Sequence, residues 1–399
     1  MSIQNLSPTA QRLLPLYIGS FLQNVPFWYV IEKLFMTHIG FDTASIGVMV
    51  AIMSAVMLLV ETPSGILADR WSRKGVILLG TLALLLAGII GGISYNEPMY
   101  IISTVCWGIY AALYSGTFEA VVYDTTVEET GDSKKYTYYL SRLRIIEGAA
   151  FIVGALGGGL LASHFGMRET FYISLPFIAI SAILIMRFRE PKLHKMEVSE
   201  PVFRHIRQTF AAVLRNRFLL PIVLSIVGFT VLQDMLLELN QLWFIELDTP
   251  VALYGIIGAV IFSTWSLGGL IAGWLSSKKA SLAGLLIILS ALVALMYVRN
   301  YWFILLAQFL FGASLIAFGI ILSKKLHDEL PSKLRAGSSS VISTLSRTSI
   351  IPISLLLTGV ANSSSIFSAS FILLGIGVIA AGAYVFTVFG KREHVERKV

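Results

Sequence analysis

Long apolar runs alternate with short polar segments along the whole chain. Each run is about 20 residues long, the length at which an α-helix spans the hydrocarbon core of a bilayer. Run length and composition predict an all-α integral membrane protein with twelve transmembrane helices. The predicted helices cover residues 13–37, 44–66, 75–94, 99–122, 142–163, 170–187, 218–240, 251–275, 282–298, 302–323, 337–360 and 366–389.

The longest polar segment, residues 188–217, separates six predicted helices from the other six. We therefore expect an N-terminal six-helix bundle at residues 1–187 and a linker at residues 188–217. A C-terminal six-helix bundle with a short tail follows at residues 218–399. The first apolar run is too long for the core of a signal peptide, so the first helix is expected to remain uncleaved.

Composition excludes a large soluble protein. The 399 residues are 56% hydrophobic and 13% charged, whereas soluble domains carry about 25% charged residues. Cys106 is the single cysteine, so neither an intramolecular disulfide nor a zinc site of the Cys/His kind is expected. The sequence contains no phosphate-binding glycine-rich loop and no nucleophile triad, so an enzyme is not expected and no cofactor is predicted.

Basic residues predict the orientation. Of the 30 Lys and Arg residues, 25 fall in segments on one side of the predicted membrane, and only Arg168 and Arg299 fall clearly on the other. Because basic residues remain on the cytoplasmic side, both termini are predicted to be cytoplasmic, in an inner or plasma membrane. The net charge of +7 is explained by anionic lipid, so no nucleic-acid partner is expected.

A charged motif, "SGILADRWSRKG" at Ser64–Gly75, lies between the second and third predicted helices. It resembles the signature of the major facilitator superfamily, with serine at position 72 where the family usually has glycine. "ETPSG" at Glu61–Gly65 and "SGTFEAVVYD" at Ser115–Asp124 resemble a subset that includes many drug or metabolite exporters. The residues that match the signature are Gly65, Leu67, Ala68, Asp69, Arg70, Arg73 and Lys74.

The resemblance implies two pseudo-symmetric six-helix bundles around a central cavity and a cytoplasmic gate in this loop. Asp69 would lie at the N-terminus of helix 11, where the helix dipole favours a carboxylate. Arg70 and Arg73 would hold carboxylates nearby, and Gly65 belongs to the same gate. We expect Asp124 to pair with Arg142 or Arg144. The segment "GWLSSKKASL" after helix 8 is a degenerate second copy of the signature.

Ionisable residues inside predicted helices are candidates for proton coupling, because such side chains are costly in a membrane. Glu119 is the acid of the second, fourth and fifth helices that we expect to be free to take a proton. Glu32 in helix 1 and Asp234 in helix 7 are the candidates near the outer side. Acids on both helices would repel when that side closes unless one is protonated, although Glu238 can also be read as lying at the wet membrane edge.

Candidate substrate-binding residues follow helical stripes. Asn24, Trp28 and Glu32 are spaced i, i+4, i+8, and Ser340, Ser343, Thr344 and Arg347 form a second stripe. Arg347 either pairs with Asp234 or binds an anionic substrate group. Trp243 is expected to be an interface anchor. The aromatic candidates for the substrate cavity, besides Trp28, are Tyr110, Tyr114 and Trp265.

Two features depart from drug antiporters of the family. Helix 5 has no proline between Gly148 and Gly166, and helix 4 has no basic residue between Trp107 and Ser115. The sequence still favours a monomeric secondary transporter that works by alternating access. Its predicted task is proton-coupled efflux of a small amphipathic or cationic molecule. The alternative is a proton-coupled uptake symporter for a sugar, organic acid or other nutrient.

Overall fold

A computed structural model of the chain describes residues 7–192, 219–329 and 332–389. All regular structure within these ranges is helical. Most of the predicted linker, residues 193–217, lies outside the described residues. We call residues 7–192 the first half and residues 219–389 the second half.

The first half contains eight α-helices and two short 3₁₀ turns within the described residues. The 3₁₀ turns are Tyr29–Ile31 and Ser133–Lys135. The helices are α1 (Pro8–Gln23), α2 (Glu32–His38), α3 (Thr43–Arg70), α4 (Arg73–Ile93), α5 (Glu97–Tyr114), α6 (Thr117–Thr130), α7 (Tyr136–Phe165) and α8 (Met167–Arg187).

The second half contains another eight α-helices among the residues described. They are α9 (Leu220–Leu239), α10 (Gln241–Glu246), α11 (Leu253–Leu275), α12 (Lys278–Tyr297), α13 (Tyr301–Glu329), α14 (Ser332–Ser363), α15 (Ile366–Ala369) and α16 (Phe371–Phe389).

Eleven segments of the described chain are long and apolar enough to cross a membrane. The first predicted span, residues 13–37, is absent from these eleven because it is not one continuous helix. Helix α1 ends at Gln23, and the chain turns through Pro26 before α2. Proline has no N–H group to donate and disfavours a helical residue before it, which accounts for the break. The count of twelve spans therefore stays a prediction.

The fourth predicted span, residues 99–122, is interrupted at Gly116, between α5 and α6. Gly116 has a φ of 73°, in the left-handed region that glycine adopts without a steric penalty. Helix α6 then continues to Thr130, and α7 begins at Tyr136. Much of the predicted connection between the fourth and fifth spans is thus helical.

The two halves meet along two helix pairs, α3 with α14 and α7 with α11. Small residues allow the closest approaches. A Cβ atom added to Gly159 of α7 would lie 2.6 Å from Gly255 Cα of α11, closer than packed atoms tolerate. We call the end of the molecule that carries Arg70–Lys74 the basic end. The opposite end, which carries Asp42 and Asn362, is the far end.

Candidate functional site

The signature loop connects α3 to α4 at the basic end. Arg73 donates to Asp124 of α6, to the Ala120 carbonyl at 3.0 Å and to Asp69 at 3.3 Å. The expected pairing of Asp124 with Arg142 or Arg144 was therefore wrong, because Arg73 occupies this carboxylate. A guanidinium with several donors suits the position, since it can bind two carboxylates and a carbonyl together.

Ser72 replaces the family's usual glycine without backbone strain. Its φ of −165° is extended, which any residue adopts. The hydroxyl donates to Glu190 Oε2 at 2.7 Å and accepts from the Gly75 N–H at 2.8 Å. Ser72 thus caps α4 and joins the loop to the chain that follows α8.

A cavity of about 280 Å³ lies between α3 and α14 towards the basic end. Glu61, Gly65 and Asp69 line it from α3, and Ser340, Ser343 and Thr344 line it from α14. The side chain of Asp69 is 64% exposed, and Arg70 is exposed beside it. The side chains at the start of α14, residues 332–339, lie outside the description, so the predicted contact of Asp69 with that N-terminus stays a prediction.

Arg347 faces the first half from α14. Its Nε atom lies 3.9 Å from Glu61 Oε2 of α3, and Ser343 donates to the same carboxylate at 3.1 Å. Asp234 lies within electrostatic range of Arg347, but the described residues contain no ion pair between them within 4.0 Å. The contact partner of Arg347 among the described residues is therefore Glu61. Of the two alternatives for Arg347, the direct pair with Asp234 is not formed, and the binding of an anionic substrate group stays a prediction.

A second cluster lies inside the first half. Arg144 of α7 binds Glu119 of α6 and, at 2.8 Å, Glu147 one turn away. Glu147 is buried and also accepts a hydrogen bond from Tyr114. Glu119 is therefore paired with a cation, so it is not the free acid that the sequence suggested. Its role in proton coupling stays a prediction.

Most predicted substrate-binding residues of the first half are buried. Asn24 donates to the Ser20 carbonyl at 2.8 Å and to Tyr114 Oη at 3.2 Å. Trp28 stacks on Phe171 with ring centroids 5.1 Å apart, and Tyr110 packs against Tyr114. None of these side chains lines the cavity between α3 and α14, and their roles with substrate stay predictions.

Aromatic side chains also meet across the α7–α11 pair. Trp265 of α11 packs edge-on against Phe151 of α7, with ring centroids 5.5 Å apart. Trp265 therefore lies between the two halves, and its role with substrate stays a prediction. Trp243 is 1% exposed and donates to the Leu295 carbonyl at 3.1 Å. The expected role of Trp243 as an interface anchor was wrong, because its indole N–H is satisfied inside the protein.

A cluster of charged side chains towards the far end of the molecule joins the first half to the second half. Lys33 Nζ lies 2.5 Å from Glu32 Oε2 and 3.4 Å from Glu238 Oε2 of α9. Tyr100 donates to Glu32 at 2.8 Å, and Tyr29 donates to Glu238 at 3.4 Å. Lys33 is 1% exposed.

Sequence reasoning missed Lys33 as the partner of these acids. Acids of the first and seventh predicted helices were expected to repel when this side closes unless one is protonated. Lys33 lies between Glu32 and Glu238 and offsets part of their charge. Only 14% of the Glu238 side chain is exposed in this cluster, so Glu238 does not lie at a wet membrane edge. The signal was available, because Lys33 is an ionisable residue inside a predicted span and so belonged among the functional candidates.

Asp42 at the far end should make part of the stability depend on pH. It accepts from Ser45 N–H at 2.7 Å as the N-cap of α3, and from Asn362 of the second half at 3.1 Å. The bonds from Ser45 hold the pKa of the Asp42 carboxyl below its ordinary 3.8. This stabilisation is present above the unfolded-state pKa and is lost as pH falls through the lowered native pKa.

Thermal unfolding between about pH 5 and about pH 3 measures this contribution. Wild type should lose more stability than Asp42→Asn, because asparagine still caps the helix but has no charge to titrate. Equal losses in the two proteins would contradict the assignment.

Comparisons with known proteins agree with the helical architecture. The sequence profile of the Major Facilitator Superfamily matches residues 13–351. The multidrug resistance protein MdtG of Salmonella schwarzengrund (strain CVM19633) is 24% identical over 258 residues, which are 63% of this chain and 62% of that protein. MdtG of Salmonella typhi is 22% identical over the same shares. The alignment thus spans less than two thirds of the length of these relatives.

Solved structures share the fold. The nucleoside transporter NupG superposes with a TM-score of 0.78 at 16% identity, covering 95% of this chain and 100% of that one. A bacterial homologue of the human lysosomal transporter Spinster, in an inward-facing and unoccupied conformation, superposes with a TM-score of 0.74 at 15% identity. The superposition covers 96% of this chain and 98% of that one. A D-xylose–proton symporter superposes with a TM-score of 0.71 at 13% identity, covering 94% of this chain and 97% of that one.

The family profile covers most of the chain, the signature loop has the family's residues, and transporter structures superpose over nearly the whole length. The chain belongs to the major facilitator superfamily, whose members are membrane transporters and not enzymes.

Proposed function

We propose that this protein is a proton-coupled secondary transporter that works by alternating access. The observation that carries the proposal is Lys33, which is buried between Glu32 of the first half and Glu238 of the second half. This ion cluster crosses the boundary between the halves. Movement that separates the halves at the far end therefore takes Glu238 away from its cation.

A buried carboxylate that loses its cation is stabilised by binding a proton. Opening of the far end would thus favour proton uptake by Glu238. Closing would bring Lys33 back and favour release of the proton. Proton binding by Glu238 and the opening of the far end would be linked in this way.

Two carboxylates around one cation recur in two other places. Glu119 and Glu147 share Arg144, while Glu61 and Asp234 both interact with Arg347. Each cluster has one more carboxylate than cations, so each has a site for a proton when its charges are buried. The surplus of acid supports protons as the coupling ion, with Glu32, Glu119 and Asp234 among the participants.

The proposed cargo is a small amphipathic or cationic molecule, and the proposed direction is efflux. The cavity between α3 and α14 supports a cation, because Glu61 and Asp69 line it beside four hydroxyl groups, one from Thr62 of α3 and three from α14. The relatives described as multidrug resistance proteins support efflux. Arg347 lies at the edge of this region beside Glu61, which offsets its charge and disfavours an anion there.

Uptake of a polar nutrient is the second candidate. Gln233 of α9 is 9% exposed, and both atoms of its amide are buried without a hydrogen-bond partner among the described residues. A sugar, organic acid or nucleoside could satisfy such a group. The structural neighbours that carry nucleosides and D-xylose are compatible with this candidate, although their similarity concerns the fold alone.

We further propose that the basic end faces the cytoplasm and that the protein acts as a monomer. The predicted N-terminal bundle at residues 1–187 and the predicted C-terminal bundle at residues 218–399 would move against each other. The placement of Lys and Arg supports this orientation, and internal repeats of six helices are typical of such transporters.

Transport by the purified full chain in liposomes tests the function. Wild type should move a lipophilic cationic dye in response to a pH gradient. Glu238→Gln should keep dye-for-dye exchange but lose the response to the gradient, because its amide cannot carry the proton. The matched control is Glu246→Gln, a nearby carboxylate that caps α15 through Ser365 and Ile366.

Two results would contradict the proposal. Gradient-driven transport that survives in each of Glu32→Gln, Glu238→Gln and Asp234→Asn would exclude coupling through these groups. Accumulation of a labelled nucleoside or sugar in the same liposomes, without dye transport, would favour uptake over efflux.

A further inference from the structure

A groove of about 490 Å³ lies between α1 and α7, towards the basic end of the molecule. Its volume is in the range of small-molecule sites, about 300–1,000 Å³. The lining is apolar except for one guanidinium and one phenol. The residues that line it are Ala10, Leu14, Tyr17, Ile18, Phe21, Arg142, Ile145 and Ile146.

The groove is on a different face from the ion clusters. Gly19 of α1 packs against Ile185 of α8, and Ser20 faces Tyr114. Ile18 of the groove is 42% exposed, and Ile145 opposite it is 70% exposed. Exposed isoleucines on both α1 and α7 indicate that the groove opens away from the protein interior, towards the bilayer.

Arg142 is the charged group of this groove. Its guanidinium lies 4.5 Å from the centre of the Tyr138 ring, and no ion pair within 4.0 Å involves it in the described chain. Arg144 binds Glu147 and Glu119, but two residues along a helix turn the side chain by about 200°. Arg142 therefore presents its charge at the groove and not to that cluster.

The depth of Arg142 matches a lipid headgroup. Helix α7 has 30 residues, so it is ~45 Å long, whereas the hydrocarbon core is ~30 Å thick. Arg142 lies six residues after Tyr136, ~9 Å from the start of the helix. An arginine at that level can extend its charge to the headgroup region while its stem covers apolar surface. Lys134 and Lys135 are exposed just before α7.

We propose that this groove binds an anionic phospholipid of the leaflet at the basic end. One acyl chain lies between α1 and α7 along Ile18 and Ile145. The phosphate group contacts Arg142, which supplies the charge that an anionic headgroup needs. This inference does not rest on the proposed transport function, because none of the groove residues belongs to the proton-coupling clusters.

Native mass spectrometry of the full chain, purified in a mild detergent and titrated with lipid, tests the site. Wild type should retain one phosphatidylglycerol more tightly than phosphatidylcholine with the same acyl chains. Arg142→Gln should weaken phosphatidylglycerol retention about fivefold, the effect of one basic residue at an anionic surface. Arg142→Lys should keep most of it, and Ile145→Trp should block the groove for both lipids.

The matched controls are Arg187→Gln, an exposed arginine of α8 at the same end, and Leu160→Trp, an exposed position of α7 outside the groove. Both control variants should bind the two lipids like wild type, and this binding would also show that the two variants are folded. Equal retention of the two lipids by wild type, or unchanged retention by Arg142→Gln, would overturn the proposal. Retention of dodecyl phosphate without competition from phosphatidylglycerol would overturn it in favour of a soluble amphiphile.

Discussion

Replacing Lys33 with methionine is expected to lower the free energy of unfolding by about 3–5 kcal/mol, the cost of removing one partner from a buried ion pair. Lys33 is 1% exposed and lies within 3.4 Å of both Glu32 and Glu238. The variant leaves two carboxylates in a buried site without a cation. It should also lose gradient-driven transport, because closure of the far end no longer brings a cation to Glu238.

Thermal unfolding in detergent and transport in liposomes measure the two effects. Lys279→Met, a change at an exposed lysine of α12, should leave stability unchanged. The triple variant Lys33→Met, Glu32→Gln, Glu238→Gln should recover most of the stability, because neutral groups carry a smaller desolvation cost. It should not recover coupling. A Lys33→Met protein as stable as wild type would show that this cluster contributes nothing to the closed far end.

The structure has its two halves in contact near the far end, through Lys33 and through the α7–α11 pair, and we call this a closed far end. Gly159→Ala is expected to shift the protein away from this conformation. The added methyl group would meet the backbone of Gly255, with Gly255 Cα at 2.6 Å. Backbone atoms cannot rotate aside as a flexible side chain can, so α7 and α11 must separate. Overpacking of this kind costs about 1–3 kcal/mol, which corresponds to a shift in population of roughly 5- to 150-fold.

Distances between spin labels measure this shift. Labels at Tyr95→Cys and Tyr297→Cys, two exposed positions at the far end, should move apart in Gly159→Ala. The background for labelling is Cys106→Ser, which removes the single native cysteine. Gly148→Ala is the matched control on the same helix, because an added Cβ there has no neighbour within 4 Å. An unchanged far-end distance in Gly159→Ala would mean that the α7–α11 contact does not control the opening.

These two predictions address different parts of the same boundary. Lys33 attracts carboxylates of both halves, whereas Gly159 has no side chain and so lets α7 approach α11 closely. If both are right, Gly159→Ala and Lys33→Met should each favour an open far end. Only Lys33→Met should in addition remove the electrostatic link between closure and the charge on Glu238.

The family and most of the helices could be predicted from the sequence. Long apolar runs identify membrane helices by composition alone, and the motif from Ser64 to Gly75 carries enough family residues to identify the superfamily. Breaks within spans were harder, because Pro26 and Gly116 are tolerated in many membrane helices. Whether such residues interrupt a helix depends on the neighbours that satisfy the freed backbone groups.

The pairing of charges was not predictable in the same way. Asp124 was expected to pair with Arg142 or Arg144, yet it lies beside Arg73. Arg347 lies beside Glu61, although the two residues belong to different halves of the chain. A stripe on one helix tells which residues share a face. It does not tell which distant helix brings the opposite charge to that face.

The sequence by itself determined that this chain crosses a membrane many times, that its basic residues collect at one end, and that it has the superfamily's loop. These properties follow from local composition, because transfer into a bilayer depends on each segment separately. Only the tertiary structure decided that Lys33 joins Glu32 to Glu238 and that Arg142 faces an apolar groove. Coulomb energy depends on distance, and helix packing sets those distances between residues that are far apart in the chain.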